Sequence, residues 1–315
     1  SYLAVFKLGA VAVPLSTSFT PAEIGALLKH SQPSAGIVLD GLLSTVEAGL
    51  AQAEFKLTLI TVGWDAGGNM RYSAPENVAP SSSALAEVLS ADPAVILYTS
   101  GTTGSPKGVV LSHRNIISNA ISCSAALPVS QDDVFITLIP MYHSFGFTVC
   151  TMLPLLLGAT CVVLPGPKKD LMPSAVKRFG VTVFVGIPAL FGIMARAEQS
   201  TVSSFDTVRF FVSGAAPLPV RTIETFSTKY RAPLLEGYGL TEASPVVSLN
   251  PLDGVRKNGS VGLPLPGVSV KVVGEEGEEM PSGGIGELLV KGRNVMSGYF
   301  RDEVATKERI ADGWL

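Results

Sequence analysis

Charged residues are scarce in this chain: 16% of its 315 residues are Asp, Glu, Lys or Arg, and the net charge is -3. It has no Lys- or Arg-rich tract with interleaved aromatic residues, which excludes the usual electrostatic footprint of a nucleic-acid-binding protein. With 47% hydrophobic residues the chain can bury a large core, and its length favours more than one subdomain.

Cysteine is also rare. Cys123, Cys150 and Cys161 lack the spacing of a metal site and are odd in number. We therefore expect buried free thiols in a protein of a reducing compartment. We expect no secretory signal, because Ser1 leads directly into the helix-like run 2–8 without a basic segment.

The range 134–167 contains no Asp, Glu, Lys or Arg and is long enough to span a membrane. Pro140, Pro154, Gly158 and Pro165 divide it into pieces that each have the length of a core strand or helix. We therefore predict a buried β-α-β unit here and no transmembrane segment.

Short β-branched runs alternate with longer helical patterns over the first three quarters of the chain, which is typical of parallel strands joined by crossover helices. The predicted strands are 11–15, 36–39, 57–62, 95–98, 134–138, 160–164, 181–185, 208–213 and 234–236. The predicted helices are 115–126, 189–199, 218–230 and one that begins at a capping box of Thr20 and Glu23. Residues 81–83 resemble an exposed connection, and strands at 245–249, 269–273 and 287–291 indicate a smaller β-rich module at the end.

Residues Tyr98 to His113 read YTSGTTGSPKGVVLSH and directly follow the apolar run 94–97. Glycines let such a backbone turn sharply and present its N–H groups to an anion, and Lys107 adds a point charge. The glycines are Gly101, Gly104 and Gly108, and short hydroxyl donors come from Thr99, Ser100, Thr102, Thr103 and Ser105. This is no Walker A motif, because Lys107 precedes Gly108 and a β-branched run follows. The segment predicts a triphosphate-binding loop, against the alternative of a glycine-rich surface turn.

Two further clusters follow in the sequence. Residues 211–217 (FVSGAAP) place small side chains where a strand ends and a helix begins, so a flat ring could approach the backbone. Residues 236–242 (EGYGLTE) form a tight turn, on which Tyr238 could stack on a base, Thr241 could donate to a phosphate and Glu242 could bind Mg²⁺. Taken alone, Tyr238 and Glu242 fit packing and capping of the turn better, but their order after 214–216 favours the functional interpretation.

These clusters, in this order, resemble the adenylate-forming (AMP-binding) superfamily of acyl-CoA synthetases, firefly luciferase and nonribosomal peptide adenylation domains. Further segments that carry the resemblance are 2–15, 140–146 (PMYHSFG), 261–267 (VGLPLPG) and 286–292 (GELLVKG) through Gly298-Tyr299. The likeness covers almost the whole chain, and an ordered set of motifs is highly specific.

The resemblance implies an α/β fold of two doubly wound α/β subdomains in αβαβα layers, plus the start of a distorted β-barrel. The implied boundaries are 1–92, 93–237 with the phosphate loop, and 238–315 for the β-rich part. In the family, a ribose-binding aspartate, a hinge and a small domain with a catalytic lysine follow a segment like 312–314 (DGW). We expect this chain to lack that small C-terminal domain, to bind nucleotide and to adenylate slowly by itself.

The resemblance also implies roles for individual residues. The loop 99–104 and Lys107 would hold the β- and γ-phosphates of ATP, Thr241 would contact the α-phosphate, and Glu242 would bind Mg²⁺. His143 would border the acyl pocket and the thiol entry, and the catalytic set would be Lys107, His143, Thr241 and Glu242. The residues expected at the adenine are Gly214, Ala215, Ala216, Gly237 and Tyr238, and Glu236 and Gly239 complete the expected nucleotide-binding set. As a lone histidine between apolar runs, His143 could equally be a hydrogen-bonded loop residue.

The implied function is ATP-dependent activation of a medium- or long-chain fatty acid, a carboxylic acid, to acyl-AMP, followed by thioester formation with CoA. The sequence HSFGFT at 143–148 carries this substrate class by resemblance. An acyl-carrier protein as acceptor and a non-catalytic nucleotide- or acyl-binding module are the alternatives. The helices near 145–152 and 187–191 are expected to set the depth of the acyl pocket. The ATP requirement and the free cysteines imply a cytoplasmic protein.

Overall fold

The computed structural model describes residues 1–73, 86–99, 106–168 and 171–315. These residues fall into two units, Ser1–Val88 with Ala94–Ile96, and Leu89–Pro93 with Leu97–Leu315. The connection predicted at 81–83 and the part 100–104 of the phosphate loop lie outside the described residues. The division into 1–92, 93–237 and 238–315 stays a prediction.

The first unit is a small α/β layer. Its described elements are the helices α1 (Tyr2–Lys7), α2 (Pro21–Ser31) and α3 (Leu43–Ala53) and the strands β1 (Ala35–Leu39), β2 (Thr58–Trp64) and β3 (Met70–Ser73). β1 is parallel to β2, and β3 is antiparallel to β2. The capping box predicted at the start of α2 is confirmed, since the Thr20 hydroxyl accepts from the Glu23 amide and the Glu23 carboxylate accepts from the Thr20 amide.

The strand predicted at 11–15 is wrong. This segment makes one isolated bridge, between Ala12 and Val95, and is otherwise irregular. Pro14 has no amide hydrogen and so cannot donate to a strand ladder, which explains why the β-branched composition did not produce a strand here.

The second unit holds the remaining elements. Its strands are β4 (Pro93–Thr99, of which 94–96 belong to the first unit), β5 (Lys107–Ser112), β6 (Val134–Thr137), β7 (Thr160–Val163), β8 (Val183–Gly186), β9 (Phe210–Ser213), β10 (Leu234–Gly239), β11 (Val246–Leu249), β12 (Leu263–Pro264), β13 (Val268–Val273), β14 (Glu287–Gly292) and β15 (Gly298–Tyr299). Its helices are α4 (His113–Ala126), α5 (Ser144–Phe147), α6 (Leu153–Leu157), α7 (Leu171–Phe179), α8 (Pro188–Met194), α9 (Gln199–Val202), α10 (Val220–Lys229) and α11 (Glu303–Arg309).

A seven-stranded sheet with the order β12-β11-β10-β9-β8-β6-β7 forms the centre of the second unit. The strands from β10 to β7 are parallel to their neighbours, whereas β11 and β12 continue the sheet in antiparallel pairing. The predicted crossover pattern is therefore confirmed for these parallel strands. Their carboxyl ends meet at one edge of the sheet, where ligands bind in open α/β sheets.

An aromatic cluster packs between the sheet and its helices. Phe184 and Phe211 are fully buried on adjacent strands, and their ring centroids lie 5.4 Å apart. Phe226 of α10 meets Phe211 edge-on at 4.9 Å and stacks on Tyr230 at 4.0 Å. Edge-to-face and stacked contacts add to the burial energy of each ring, so this cluster fixes the sheet that carries the site edge.

The uncharged range 134–167 folds as the predicted β-α-β unit. It contains β6, then α5, a π-helical turn (Thr148–Met152) and α6, and then β7 parallel to β6. No helix in the described parts of the chain is both long enough and apolar enough to cross a bilayer. All three cysteines are free; Cys123 and Cys150 are buried, as predicted, and Cys161 is half-buried.

The β-rich end forms small open sheets. β13 and β14 pair as an antiparallel hairpin around the acidic loop, and β15 pairs antiparallel with β5 through Tyr299 and Val109. Among the described residues none of the sheets closes into a barrel. Residues 296–300 thereby lie against the strand that begins at Lys107.

Asp133 ties the start of β6 to the residue before β9. Arg209 Nη2 donates to both carboxylate oxygens at 2.8 Å, and the Thr182 hydroxyl donates to Oδ1 at 2.6 Å. The Asp133 side chain is 5% exposed and that of Arg209 42%. Burial alone would raise the pKa of Asp133, but the hydrogen bonds from Thr182, Ser130 and Arg209 and the charge of Arg209 outweigh it and hold this pKa below its usual value.

Replacing Asp133 with Asn is expected to lower the free energy of unfolding by about 3 kcal/mol, the low end for a broken buried ion pair, because Arg209 is half-exposed. A lowered folded-state pKa stabilises the fold fully above the unfolded-state pKa and loses that contribution as the pH falls through the folded-state value. Urea unfolding at neutral and acid pH should therefore give the wild type a higher free energy of unfolding than Asp133→Asn, and this difference should shrink as the pH falls. The exposed neighbour Asp132→Asn is the control, and equal stability of both variants would contradict the assignment.

Candidate active site

A cavity of about 280 Å³ opens at the carboxyl ends of β9 and β10 in the second unit. The residues of the predicted site that line it are His143, Gly214, Ala215, Gly237, Tyr238, Gly239, Thr241 and Glu242. Thr99, Lys107, Ala216 and Glu236 do not line it, and Ser100, Gly101, Thr102, Thr103 and Gly104 lie outside the described residues. The structure thus brings together motifs that are about a hundred residues apart in the chain.

The turn 240–245 holds the polar rim of the cavity. Its backbone closes through Leu240 N donating to Pro245 O at 3.0 Å, which leaves the Thr241 and Glu242 side chains at the rim. Thr241 Oγ1 lies 3.2 Å from Ser144 Oγ at the start of α5. Two hydroxyls at this distance can both turn toward one ligand oxygen, so the pair forms a ready donor set for an anionic group.

Close backbone packing fixes the rim. A Cβ on Gly239 would overlap Pro245 O, and one on Gly214 would approach the Phe145 ring to 3.0 Å. Ala215 has a φ of 72°, in the left-handed region that a residue with a side chain rarely adopts. An observed backbone outlier in a ligand-sized cavity favours a functional role for this segment.

Tyr299, to which the sequence analysis assigned no role, contacts both Lys107 and Glu242. Tyr299 donates its hydroxyl to Glu242 Oε1 at 2.9 Å, and Lys107 Nζ lies 5.1 Å from the centroid of the Tyr299 ring. Burial raises the pKa of Tyr299 above its usual range, and the charge of Glu242 and this hydrogen bond add to the rise. The phenol therefore keeps its proton and acts as the donor.

His143 caps α5 and also lines the cavity. Its Nδ1 accepts from the Phe145 amide at 3.3 Å, so the neutral ring carries its proton on Nε2. Desolvation lowers the pKa of His143, which keeps the ring neutral at physiological pH. The hydrogen-bonded loop residue and the cavity residue that the sequence left as alternatives are thus the same side chain.

Glu236 points away from this cavity. Its Oε1 accepts from the Leu218 amide at 2.8 Å, and the residue is buried and lines a separate cavity of about 490 Å³. The Leu218 amide needs an acceptor where it is buried, and Glu236 supplies it. The part of Glu236 in the nucleotide site stays a prediction.

The cavity continues as an apolar channel along α4 and the sheet. Asn119 and Cys123 share one face of α4, and Leu127 directly follows the helix, four residues after Cys123. Asn119 bonds to Val246 at the rim, and Cys123 and Leu127 line the cavity. From Asn119 to Leu127 this stretch covers roughly 12 Å at 1.5 Å per residue.

The strands give a similar depth for the cavity. Phe135 and Val183 pair across β6 and β8 and both line the cavity, three residues below the sheet edge at Gly186. At about 3.3 Å per residue this places the floor roughly 10 Å below the edge. Phe145 and Val149 line the channel as expected, but among the described residues none of 187–191 does. Cys123 of α4 and Leu127, which directly follows this helix, line the cavity instead.

Ser213 is a further residue that the sequence reasoning missed as an individual site residue. Its side chain is fully buried, lines the cavity, and its Oγ has no hydrogen-bond partner among the described residues. Ser144 was likewise quoted only within a motif. A sequence pattern could have identified Ser213 and Ser144. Each is a hydroxyl residue at the end of a strand or the start of a helix, next to the small residues of its motif.

Comparison with known proteins gives three consistent relatives. The long-chain-fatty-acid–CoA ligase of Yersinia pestis is 31% identical over 99% of this chain and 61% of its own length. The indoleacetate–CoA ligase of Aromatoleum aromaticum is 31% identical over 98% of this chain and 61% of its own length. The crystal structure of ATP-bound MatB from Rhodopseudomonas palustris has a TM-score of 0.88 at 34% identity and covers 100% of this chain and 61% of that one. The chain thus spans about three fifths of the length of these relatives.

A family model described as AMP-binding enzyme matches residues 1–300, nearly the whole chain. This match confirms the resemblance found from the ordered motifs, and the α/β fold agrees with that of the structural neighbour. The chain therefore belongs to the AMP-binding enzyme family.

Proposed function

We propose that this chain is the nucleotide- and acid-binding part of an AMP-forming acid–thiol ligase that activates a carboxylic acid with ATP and transfers the acyl group to CoA. The observation that carries the proposal is that one cavity joins a rim of hydroxyl, carboxylate and small residues to an apolar channel. A nucleotide needs the first and an acyl chain needs the second. Their shared opening is where a carboxylate and an α-phosphate would meet.

The reaction proceeds in two substitutions. A carboxylate oxygen attacks the α-phosphorus of ATP and pyrophosphate leaves; the thiol sulfur of CoA then attacks the acyl carbon and AMP leaves. Because the acid and ATP are both anionic, the site must supply cations and aligned donors. We assign the loop 99–104 and Lys107 to the β- and γ-phosphates, Thr241 with Ser144 to the α-phosphate, and Gly214, Ala215, Ala216, Gly237 and Tyr238 to the adenine.

Glu242 fits a magnesium ligand. Tyr299 occupies its Oε1, so Oε2 is the oxygen left for a cation at the rim. In nucleotide sites Mg²⁺ is usually bound by one or two carboxylates together with phosphate oxygens, and Glu242 would supply such a carboxylate. When bound, the ion neutralises phosphate charge. Glu242 would hold the ion, and Lys107 supplies a positive charge of its own.

We propose a medium-chain acid as the substrate. The channel is roughly 10 Å deep, and its floor is apolar, formed by Leu127, Phe135 and Val183. An extended chain with C–C bonds of about 1.5 Å advances somewhat less than that per bond, so roughly eight carbons reach the floor. The relatives act on acids that range from long-chain fatty acids to indoleacetate, so they do not fix the substrate of this chain. The proposed chain length therefore rests on the depth of the cavity.

An acyl-carrier protein as the acceptor is the alternative within the ligase class, and a non-catalytic binding module is the alternative outside it. The Tyr299-bonded Glu242 and the adjacent Lys107 favour the ligase, because a nucleotide- or acyl-binding module that never catalyses has no chemical need for a magnesium carboxylate. We also propose a cytoplasmic location, on the free cysteines and the ATP requirement.

Calorimetric titration with non-hydrolysable acyl-adenylate mimics tests the proposal. We expect the octanoyl mimic to bind more tightly than the acetyl, palmitoyl and benzoyl mimics and than ATP, because it fills the channel and the adenine site together. If every mimic binds no better than AMP, the ligase assignment of this site fails. If the palmitoyl mimic binds best, the ligase assignment stands and the channel length is wrong.

Lys107→Ala is expected to weaken ATP binding by about tenfold or more, the cost of losing a bond to a charged group. The same variant should bind the octanoyl mimic as tightly as the wild type, since the mimic has no β- or γ-phosphate. Parallel titrations of the two ligands check this. Equal losses for both would contradict the assignment of Lys107 to the terminal phosphates.

A further inference from the structure

Residues 296–300 connect two parts of the site that the chain carries far apart. Met296 N donates to Glu242 O at 2.8 Å. Ser297 N donates to Val110 O at 3.0 Å and Phe300 N to Gly108 O at 2.7 Å. One short segment therefore holds both the turn of Glu242 and the strand that begins at Lys107.

The Tyr299 side chain lies at the centre of this connection. Its amide is held by the Thr306 hydroxyl at 2.8 Å, and its strand pairing with Val109 fixes the backbone on the other side. The hydroxyl contacts Glu242 and the ring lies under the Lys107 ammonium. The residue is half-buried, so its ring has little freedom to leave this position.

Without a group between them, Lys107 and Glu242 would attract each other. A direct ion pair would use the lysine charge and the carboxylate oxygen that a phosphate and a metal ion need. No ion pair between the two is among the salt bridges of the described residues. The Tyr299 ring offers the ammonium a cation–π contact, and its hydroxyl gives the carboxylate a neutral partner.

We propose that Tyr299 is a positioning residue that orients the Glu242 carboxylate for a divalent cation and keeps the Lys107 ammonium apart from it. This inference rests on the proposed function of the site. The hydroxyl acts on Glu242 and the ring acts on Lys107, so the two parts of the side chain have separate effects.

Two substitutions separate these effects. Tyr299→Phe removes the hydroxyl and keeps the ring, whereas Tyr299→Leu removes both. Mn²⁺, as a paramagnetic probe, is titrated against the protein–ATP complex and followed by electron paramagnetic resonance, and metal-free ATP affinity is measured by calorimetry with a chelator. Tyr72→Phe, at an exposed tyrosine of the first unit, is the control for the chemical change.

We expect Tyr299→Phe to weaken Mn²⁺ binding about tenfold, the usual effect of losing a partner behind a metal ligand, with metal-free ATP affinity unchanged. Tyr299→Leu should weaken both. In a Glu242→Gln background, Tyr299→Phe should have no further effect on Mn²⁺, because the hydroxyl acts through that carboxylate. Tyr72→Phe should change neither quantity.

The inference is overturned if Tyr299→Phe leaves Mn²⁺ affinity unchanged, or if it lowers metal-free ATP affinity and the melting temperature together, which is the signature of a merely structural residue. These results are distinct from failure of the proposed function. If the proposed function is wrong, the wild type itself does not bind ATP, and both proposals fail.

Discussion

Replacing Gly239 with alanine is expected to abolish measurable ATP binding and to lower the free energy of unfolding by about 3 kcal/mol, the upper end for overpacking. The new Cβ would overlap Pro245 O, a backbone atom that closes the turn 240–245 and cannot move alone. The turn must shift, and Thr241 and Glu242 shift with it. Calorimetry with ATP and urea unfolding measure the two effects.

Gly192→Ala is the matched control for Gly239→Ala. Gly192 lies in α8, and a Cβ there would meet no heavy atom within 4 Å. Because alanine loses less backbone entropy in a helix than glycine, this variant should be more stable by about 0.5–1 kcal/mol and bind ATP normally. If Gly239→Ala behaved like Gly192→Ala, the close packing at the rim would have no role in the site.

Cys123→Phe is expected to weaken binding of the octanoyl-adenylate mimic about 200-fold and to leave the acetyl mimic unaffected. Cys123 lies one helical turn above Leu127 on the channel face of α4, so a ring there fills the lower channel. An eight-carbon chain would lose burial of about four methylenes at about 0.8 kcal/mol each. Titrating wild type and variant with both mimics gives the change in affinity for each.

Ile121→Phe adds the same ring to the same helix on its exposed side and should leave both affinities unchanged. Equal loss of both mimics in Cys123→Phe would indicate that the helix has moved, and unchanged octanoyl binding would show that the acyl chain lies elsewhere. We expect no chemical role for the Cys123 thiol in ligand binding, since burial raises the pKa of Cys123 to about 12.

Local patterns predicted what local interactions decide. The capping box at Thr20 formed because its partners are three residues apart, and the strands at 134–138, 160–164 and 208–213 formed with shifts of a residue or two at their ends, because short β-branched runs between turns favour them. The strand predicted at 11–15 failed where Pro14 removed a donor. The role of Glu236 was predicted from its motif, but a buried amide of Leu218 competes for its carboxylate.

The sequence by itself determined the family and the α/β class, because these depend on residue types in a fixed order along the chain. Only the tertiary structure decided which residues share the cavity. Tyr299 reaches Glu242 across 57 positions, and Ser144 reaches Thr241 across 97. Cys123 of α4 and Leu127, directly after that helix, line the same cavity as Phe135 and Val183 of the sheet. Such contacts follow from how whole elements pack, and no spacing in the sequence encodes them.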